Sequence, residues 1–577
     1  MKKPLLKVIA LFLGLIIALS ACQGASTGTG QTSAPTATAG QATAPAGTSA
    51  PTAAPQEPDE SKGPYWLTDE TVTLSCYALL RPKTDDFENN WFTNWIKENA
   101  NVDLEFIVSP SDEGRSKLNI LLSSGDYPDI ILPVSMFTRT EVNYYGRQGI
   151  FLELNDYIDQ HGTYTREAFE SYPNARAYAS TEGGSIYTLP AIADSLHLSS
   201  LPKMWIYQPW LDALNLDTPT TTDELLTVLR AFRDDDPNGN GLKDEIPAAG
   251  AATGWNNQPE VFLTNAFTYH DGYDKEQIWI ENDVVSVTYI TDEYKEALKY
   301  VRTLVSEGLL AKESFTQDRT VLRQIGENPD VHILGASFAP APSGFADASE
   351  SGSGRWRDYE ALAPLKGPAG VQLTCYDYNY PYRTGTQITD KCSDPLVAFR
   401  LLDLFYNKEV AMLKEYGEMD VYWRWAEPGE LNRNGEQAYS AGTSGAQLMD
   451  NKNVGWDQTG IYYFHLAHTT GDVVLDPTEP PTMDNVIFTA TRDKYVAYQP
   501  DVKYLYPNVI ETEEEAVEIS TISTELRNYV NEMTARFVTG DMDIDSGWGN
   551  FLQNLESIGL SRYLQLKQAV YDRTVNP

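Results

Sequence analysis

From Tyr65 onward, short apolar runs alternate with stretches whose apolar residues recur every three or four positions. The run "VTLSCYALL" (72–80) predicts a strand, residues 86–99 a helix, "VDLEFIVS" a second strand, and "GRSKLNILLSSG" a second helix closed by Gly125. "DIILPV" predicts a third strand. Strand, helix, strand, helix, strand implies a parallel sheet with right-handed crossovers, and so an α/β architecture. Further along, Thr221 and Glu224 form a capping box ahead of Leu225, Leu229 and Phe232, which share one helical face. Residues 292–307 place Ala297, Leu298, Val301, Leu304 and Val305 on one face and stop at Gly308. A long helix is expected over roughly 512–538, with Gly540 as its stop.

The first 62 residues break this pattern. Three lysines precede an apolar run, Val8 to Leu19, that is too short to span a bilayer comfortably, which is the form of an export signal. Its end, "LSAC", resembles the bacterial lipobox, in which the cysteine, here Cys22, is acylated and becomes the new N-terminus. Residues 23–62 are nearly all Ala, Thr, Gly, Ser, Pro and Gln, which have little to bury and predict a disordered tether.

Charge narrows the partners. With 43 basic and 81 acidic residues the net charge is −38, which repels phosphate backbones and excludes nucleic acid as a natural partner. Beyond Cys22 only Cys76, Cys375 and Cys392 remain, so at most one disulfide can form, with the last two as the candidate pair. There is no HExxH, GxSxG, Walker loop or GxGxxG after a strand, and the pair His465 and His468 has no third ligand nearby in sequence. Twelve Trp and 34 Tyr suit a carbohydrate cleft, because sugar C–H faces stack on aromatic rings.

One loop carries cation chemistry. In "DPNGNGLKDEIP" (236–247), Asp236, Asn238 and Asn240 stand at alternate positions with glycines between and after them. Leu242 offers a backbone carbonyl, and Asp244 and Glu245 complete an oxygen shell of the kind calcium takes. Pro247 replaces the usual twelfth-position glutamate, and a structural role is expected. A solvated Asn-Gly turn is the alternative.

Several segments together resemble the extracellular solute-binding lipoproteins of bacterial ABC importers, of the large oligosaccharide-binding type: "SGDYPDII" (124–131), "GGSIYTLPAIAD" (183–194), residues 206–232, "DEYKEALKYVRTLVSEGLL" (292–310) and residues 536–573. The acidic loop is similar to the calcium loop of the alginate-binding members. The resemblance implies a type II periplasmic-binding-protein-like fold, with two α/β lobes, a cleft between them and a hinge. The expected segments are lobe 1 at 63–190 and 335–408, and lobe 2 at 191–334 and 409–577. Position in that plan makes Ser135, Asp194, Trp255, Phe262, Phe338, Tyr422, Trp423, Trp425 and Trp456 the cleft candidates. The expected function is a lipid-anchored monomer on the outer face of the cell membrane. It captures an oligosaccharide, a neutral one given the scarcity of cations, and passes it to an ABC permease without catalysis. The competing readings are a surface carbohydrate hydrolase or lyase, and a sensor or adhesin that differs only in its partners.

Overall fold

The computed structural model describes residues 60–575, apart from positions 82, 112, 182, 195, 273–274, 349–351, 378–380, 433–434, 443–451, 457, 465–473, 475–480 and 510. The export signal, Cys22, the tether up to residue 59 and the pair His465 and His468 lie outside the described residues. No helix among the described residues is long and apolar enough to cross a membrane.

The first lobe is built on a six-stranded sheet. Strands β1 (Val72–Leu79) and β2 (Val102–Ser109) run parallel in unbroken register from Val72↔Val102 to Leu79↔Ser109, and β3 (Ile130–Ile131) joins the other side of β1 in parallel. Leu74, Cys76, Tyr77 and Ala78 are successive or near-successive buried positions, as expected for a strand covered on both faces. The helices Trp91–Ala100 and Gly114–Ser124 make the crossovers. The first is capped by the Asn90 side chain and the second is closed by Gly125 in the left-handed region.

The rest of this sheet comes from far along the chain. Strand β4 (Leu189–Ala193) pairs antiparallel with β10 (Tyr382–Ile388), β10 pairs antiparallel with β3, and β13 (Tyr463–Phe464) lies parallel to β4. The sheet order is β13-β4-β10-β3-β1-β2. The β4–β10 register shifts between Arg383 and Thr386, where a Cβ on Gly385 would meet the Leu189 carbonyl oxygen at 1.7 Å; only glycine permits that approach.

The second lobe centres on β5 (Lys203–Tyr207), flanked antiparallel by β8 (Ala336–Ala339) and β9 (Tyr359–Ala361). A hairpin of β6 (Ile278–Glu281) and β7 (Val284–Val287) lies in the same lobe, and the hairpin of β11 (Trp423–Trp425) and β12 (Ser440–Gly442) lies in the first. Helix Thr222–Asp234 begins at the expected Thr221–Glu224 capping box, and helix Glu513–Thr539 at an equivalent Thr512–Glu515 box. That long helix packs its Leu526, Val530, Met533 and Phe537 into one core with Tyr294, Leu298, Val301 and Leu304 of helix Asp292–Ser306.

Core membership divides the chain differently from the expected segments. Residues 336–361 belong to the second lobe, because β8 and β9 hydrogen-bond to β5. Helix Lys408–Tyr416, Trp423, Trp456 and Tyr463 belong to the first, packed with Phe92 and Phe405. The chain therefore passes between lobes three times: between β4 and β5, between β9 and β10, and between β13 and helix Met483–Lys494. At the crossings Gln499 donates to the hydroxyls of Ser199 and Ser200 at 3.0 Å each, and the Asp377 N–H donates to the Ser199 carbonyl.

The candidate disulfide does not form. Cys76, Cys375 and Cys392 are buried free thiols; Cys375 donates to the His270 carbonyl in the second lobe at 3.0 Å, while Cys392 packs in the first-lobe core with Cys76.

Candidate functional site: a cleft between the lobes

A cavity of about 750 Å³ opens where the two lobes face each other. The first lobe contributes the turn after β3, the start of helix Arg139–Arg147, Tyr178 and the Arg383–Thr384 end of β10. The second contributes the stretch from Tyr269 to β6, the segment 505–511, and Arg527 and Lys567 from the two long C-terminal helices. The site thus lies beyond the carboxyl end of β3, where open α/β sheets place ligands. Ser135 shapes the turn with a φ of 56°, and its N–H donates to the Thr384 carbonyl at 2.7 Å.

The lining holds six basic and five acidic side chains. Most of them are matched. Arg115 bonds Glu141 and the Met136 carbonyl, Arg383 meets Asp377 at 3.0 Å, and Lys567 meets Glu276 at 2.9 Å and Glu511 at 3.5 Å. The expectation that cations would be scarce at the cleft is thereby corrected: they are present, in pairs, and the lining is close to neutral within a strongly acidic protein.

Several groups are shifted by their surroundings. Burial pulls the Lys567 ammonium down, but Glu276 and Glu511 outweigh it and hold it above the usual lysine value. Burial pushes the Asp271 carboxyl up to about 7, against the pull of Lys275. Arg139, whose guanidinium is desolvated and lowered, lies 5.1 Å from the Tyr178 ring centre and donates to the Ser180 and Val509 carbonyls. Tyr506 donates to the Lys567 carbonyl at 2.8 Å, and the Lys567 ammonium sits 4.8 Å from its ring centre. Rings, charged pairs and hydroxyls from both halves thus converge on one space, an arrangement that binds a polar ligand with apolar faces.

Of the nine cleft candidates, only Ser135 lines this cavity. Trp456 is fully buried in the first-lobe core, donating to Thr93 at 2.9 Å and ringed by Phe87, Phe92, Phe106 and Phe405. Phe262 and Phe338 pack on each other in the second core. Trp423 is buried and donates to the Gly417 carbonyl; Tyr422 and Trp425 pack against the first core half-buried. Asp194 accepts from Tyr172 at 2.8 Å outside the cavity, and Trp255 stands 55% exposed on the second lobe. Arg139, Arg383, Tyr269 and Tyr506 line the cavity without standing out in the sequence. Only the segment "YPN" (506–508), a turn-forming run ahead of a capped helix, carried a local signal for any of them.

The acidic loop is wound tightly. Asp236, Gly239 and Gly241 have positive φ; Asp236 accepts from the N–H groups of Asn240 and Gly241, and both asparagine carboxamides donate to Asp244. Leu242 is exposed with its N–H bound to Asn240. Among the described residues no three His, Cys, Asp or Glu side chains gather as a metal cluster, so a cation would depend on the asparagines and a carbonyl as well. The Glu245 Oε1 is nevertheless buried without a hydrogen-bond partner, and burial, with Asp244 and Asp236 adding, raises its pKa. An orphaned carboxylate oxygen beside such an oxygen-rich set fits a hard cation.

Two α/β halves joined by three crossings around a solvent-open cleft define a binding protein of the two-lobed type. Residues 82–323 match the family model described as bacterial extracellular solute-binding protein. The chain is 27% identical over 510 residues to the fructooligosaccharide ABC transporter substrate-binding protein FusA of Streptococcus pneumoniae serotype 4, covering 87% of this chain and 89% of that one. It is 23% identical to the polygalacturonan/rhamnogalacturonan-binding protein YtcQ of Bacillus subtilis, covering 86% and 91%. The solved structure of an EF-hand mutant of S. pneumoniae FusA with fructo-nystose superposes with a TM-score of 0.71 at 25% identity, over 87% of this chain and 99% of that one. Over most of its length the chain is thus similar to the extracellular substrate-binding proteins of ABC transporters.

Proposed function

We propose that the protein captures an oligosaccharide in the cleft and delivers it, chemically unchanged, to an ABC importer. The observation that carries this reading is a single cavity of about 750 Å³ lined by tyrosines and paired charges from both lobes. A sugar held there gains contacts from both halves only when they close, so ligand shifts the population toward the closed form. The near-neutral lining favours a neutral sugar, since matched ion pairs offer hydrogen bonds without excess charge. The fructooligosaccharide relative accords with that choice.

Two further elements belong to the reading. Cys22 carries the lipid that tethers the exported monomer to the outer face of the membrane, through the stretch 23–62. Calcium occupies the loop through Asp236, Asn238, Asn240, the Leu242 carbonyl, Asp244 and Glu245, where it holds the turn and takes no part in sugar chemistry.

Calorimetry of the tether-free chain with neutral fructo-oligosaccharides and with oligogalacturonates tests the proposal. Saturable binding of the neutral sugar, with the sugar recovered intact, is the expected result. Turnover of the sugar, or no binding by either class, overturns it.

A further inference from the structure

A second cavity, about 710 Å³, lies wholly within the first lobe and shares no lining residue with the cleft. Six of its lining side chains are aromatic: Tyr65, Tyr164, Tyr406, Trp425, Tyr439 and Tyr463. Its charged members are Glu167, Glu170, Glu409 and Lys408. We propose that this aromatic, carboxylate-edged pocket is a second binding site, for a neutral saccharide unit, and that it works without lobe closure.

The pocket is held by well-fixed elements. Asp403 accepts from the N–H groups of Thr163, Tyr164 and Thr165, which fixes the start of helix Tyr164–Ser171 along one wall. Tyr406 is buried and donates to the Pro190 carbonyl, and Tyr65 donates to Glu409 at 3.0 Å. Trp425 meets Trp423 at 4.8 Å and Tyr439 at 5.0 Å between ring centres, both near right angles, so its ring is held edge to face by two neighbours. The half-buried rings are Tyr65, Tyr164, Trp425 and Tyr439, while Tyr406 and Tyr463 form the buried floor.

The chemistry selects the ligand. Half-buried rings offer stacking surface to sugar C–H faces, and carboxylates accept hydrogen bonds from sugar hydroxyls. Three glutamates against one lysine repel phosphate, sulfate and uronate groups, so an anionic ligand is excluded on charge. Because only one lobe contributes, binding gains nothing from closure and is expected to be roughly millimolar, well below the affinity of a cleft that encloses its ligand. Such a site suits holding a distant unit of a long glycan, or the glycan surface itself, near the cleft-bearing protein.

The test uses the full chain with ¹⁵N-labelled tryptophan, the Trp425 indole signal being assigned by its loss in Trp425→Phe. Maltotriose, trigalacturonate and choline are titrated in turn. The expected result is a saturable shift of the Trp425 signal with maltotriose and none with trigalacturonate, abolished in Tyr439→Leu. That variant must keep the wild-type melting temperature; Glu409→Gln, expected to weaken the titration about fivefold, serves as the independent second variant. No shift with maltotriose overturns the proposal, and a shift with choline alone makes the pocket an amine cage instead. The cleft variant Tyr506→Ala must leave the Trp425 titration unchanged. If it removes the shift, the signal was transmitted from the cleft and the second site is overturned, whereas failure of the cleft to bind sugar leaves this titration readable.

Discussion

Arg139, on the first lobe, donates to the backbone carbonyl of Val509, on the second, at 3.3 Å, and the neighbouring Thr140 hydroxyl donates to Glu511 at the same distance. These contacts cross the cleft mouth and exist only while the lobes are close. Arg139→Ala is expected to weaken oligosaccharide affinity about tenfold, the loss of roughly 1.5 kcal/mol for a charge-assisted bond that only the closed form makes. Calorimetry measures it, and an unchanged Kd would show that the contact does not contribute to closure.

Lys567 is nearly buried between Glu276 and Glu511. Lys567→Met leaves both carboxylates without their cation and is expected to cost about 3 kcal/mol, read as a drop in denaturant midpoint. The lysine is held above its unfolded value, so its contribution is complete below about pH 10 and is lost as pH rises through the folded value. The gap between wild type and variant should be constant from neutral pH upward and then shrink in strong alkali.

Glu260 in the second lobe is half-buried, its Oε2 is buried without a hydrogen-bond partner, and desolvation of the carboxyl pushes its pKa up to about 7. The folded protein therefore keeps a proton that the unfolded chain releases near pH ~4.3, and this group makes the fold less stable as pH rises from there to about 7. Glu260→Gln should be more stable than wild type at pH 8 by up to about 3 kcal/mol, and equal to it near pH 4. Urea unfolding at the two pH values distinguishes this from a variant that is weaker throughout.

Calcium added to metal-free protein should raise the melting temperature, and a chelator should reverse the gain, because an ion bound only by the native state stabilises it by about 2.7 kcal/mol at a hundredfold excess over Kd. Asp236→Ala should abolish the response while leaving sugar binding in place, since the loop shares no residue with the cleft. A wild-type melting temperature indifferent to calcium would reduce the loop to an acidic turn.

Trp456→Ala should destabilise the protein by about 3–5 kcal/mol, as emptying an aromatic core site does, without altering ligand affinity. Denaturant titration and calorimetry on the same preparation separate the two effects.

That last residue shows where sequence reading stops. The strands Val72–Leu79 and Val102–Ser109 and the helices Gly114–Ser124, Asp292–Ser306 and Glu513–Thr539 fall close to where periodicity and caps put them, because those signals are local. The segment 129–134 yields only a two-residue strand, and the segment limits of the lobes shift, because both depend on which distant strand supplies a partner. Trp456, Phe262 and Phe338 were expected at the cleft because aromatic residues suit sugars, but the same side chains serve equally well as core. Residue type alone does not say which side of a sheet or helix faces a ligand. Arg139, Arg383 and Lys567 were invisible for the converse reason: a charged residue beside a cleft looks in sequence like any solvated one until its partners are known.

The threefold passage of the chain between the halves has a consequence for biosynthesis. The first sheet lacks an inner strand until residues 382–388 have been made, and an edge strand until 463–464; the second core waits for the helices that end at 575. The first half can therefore mature only after residue 464 has been made, and the second only after the helix that carries Val570 and Tyr571 has followed it.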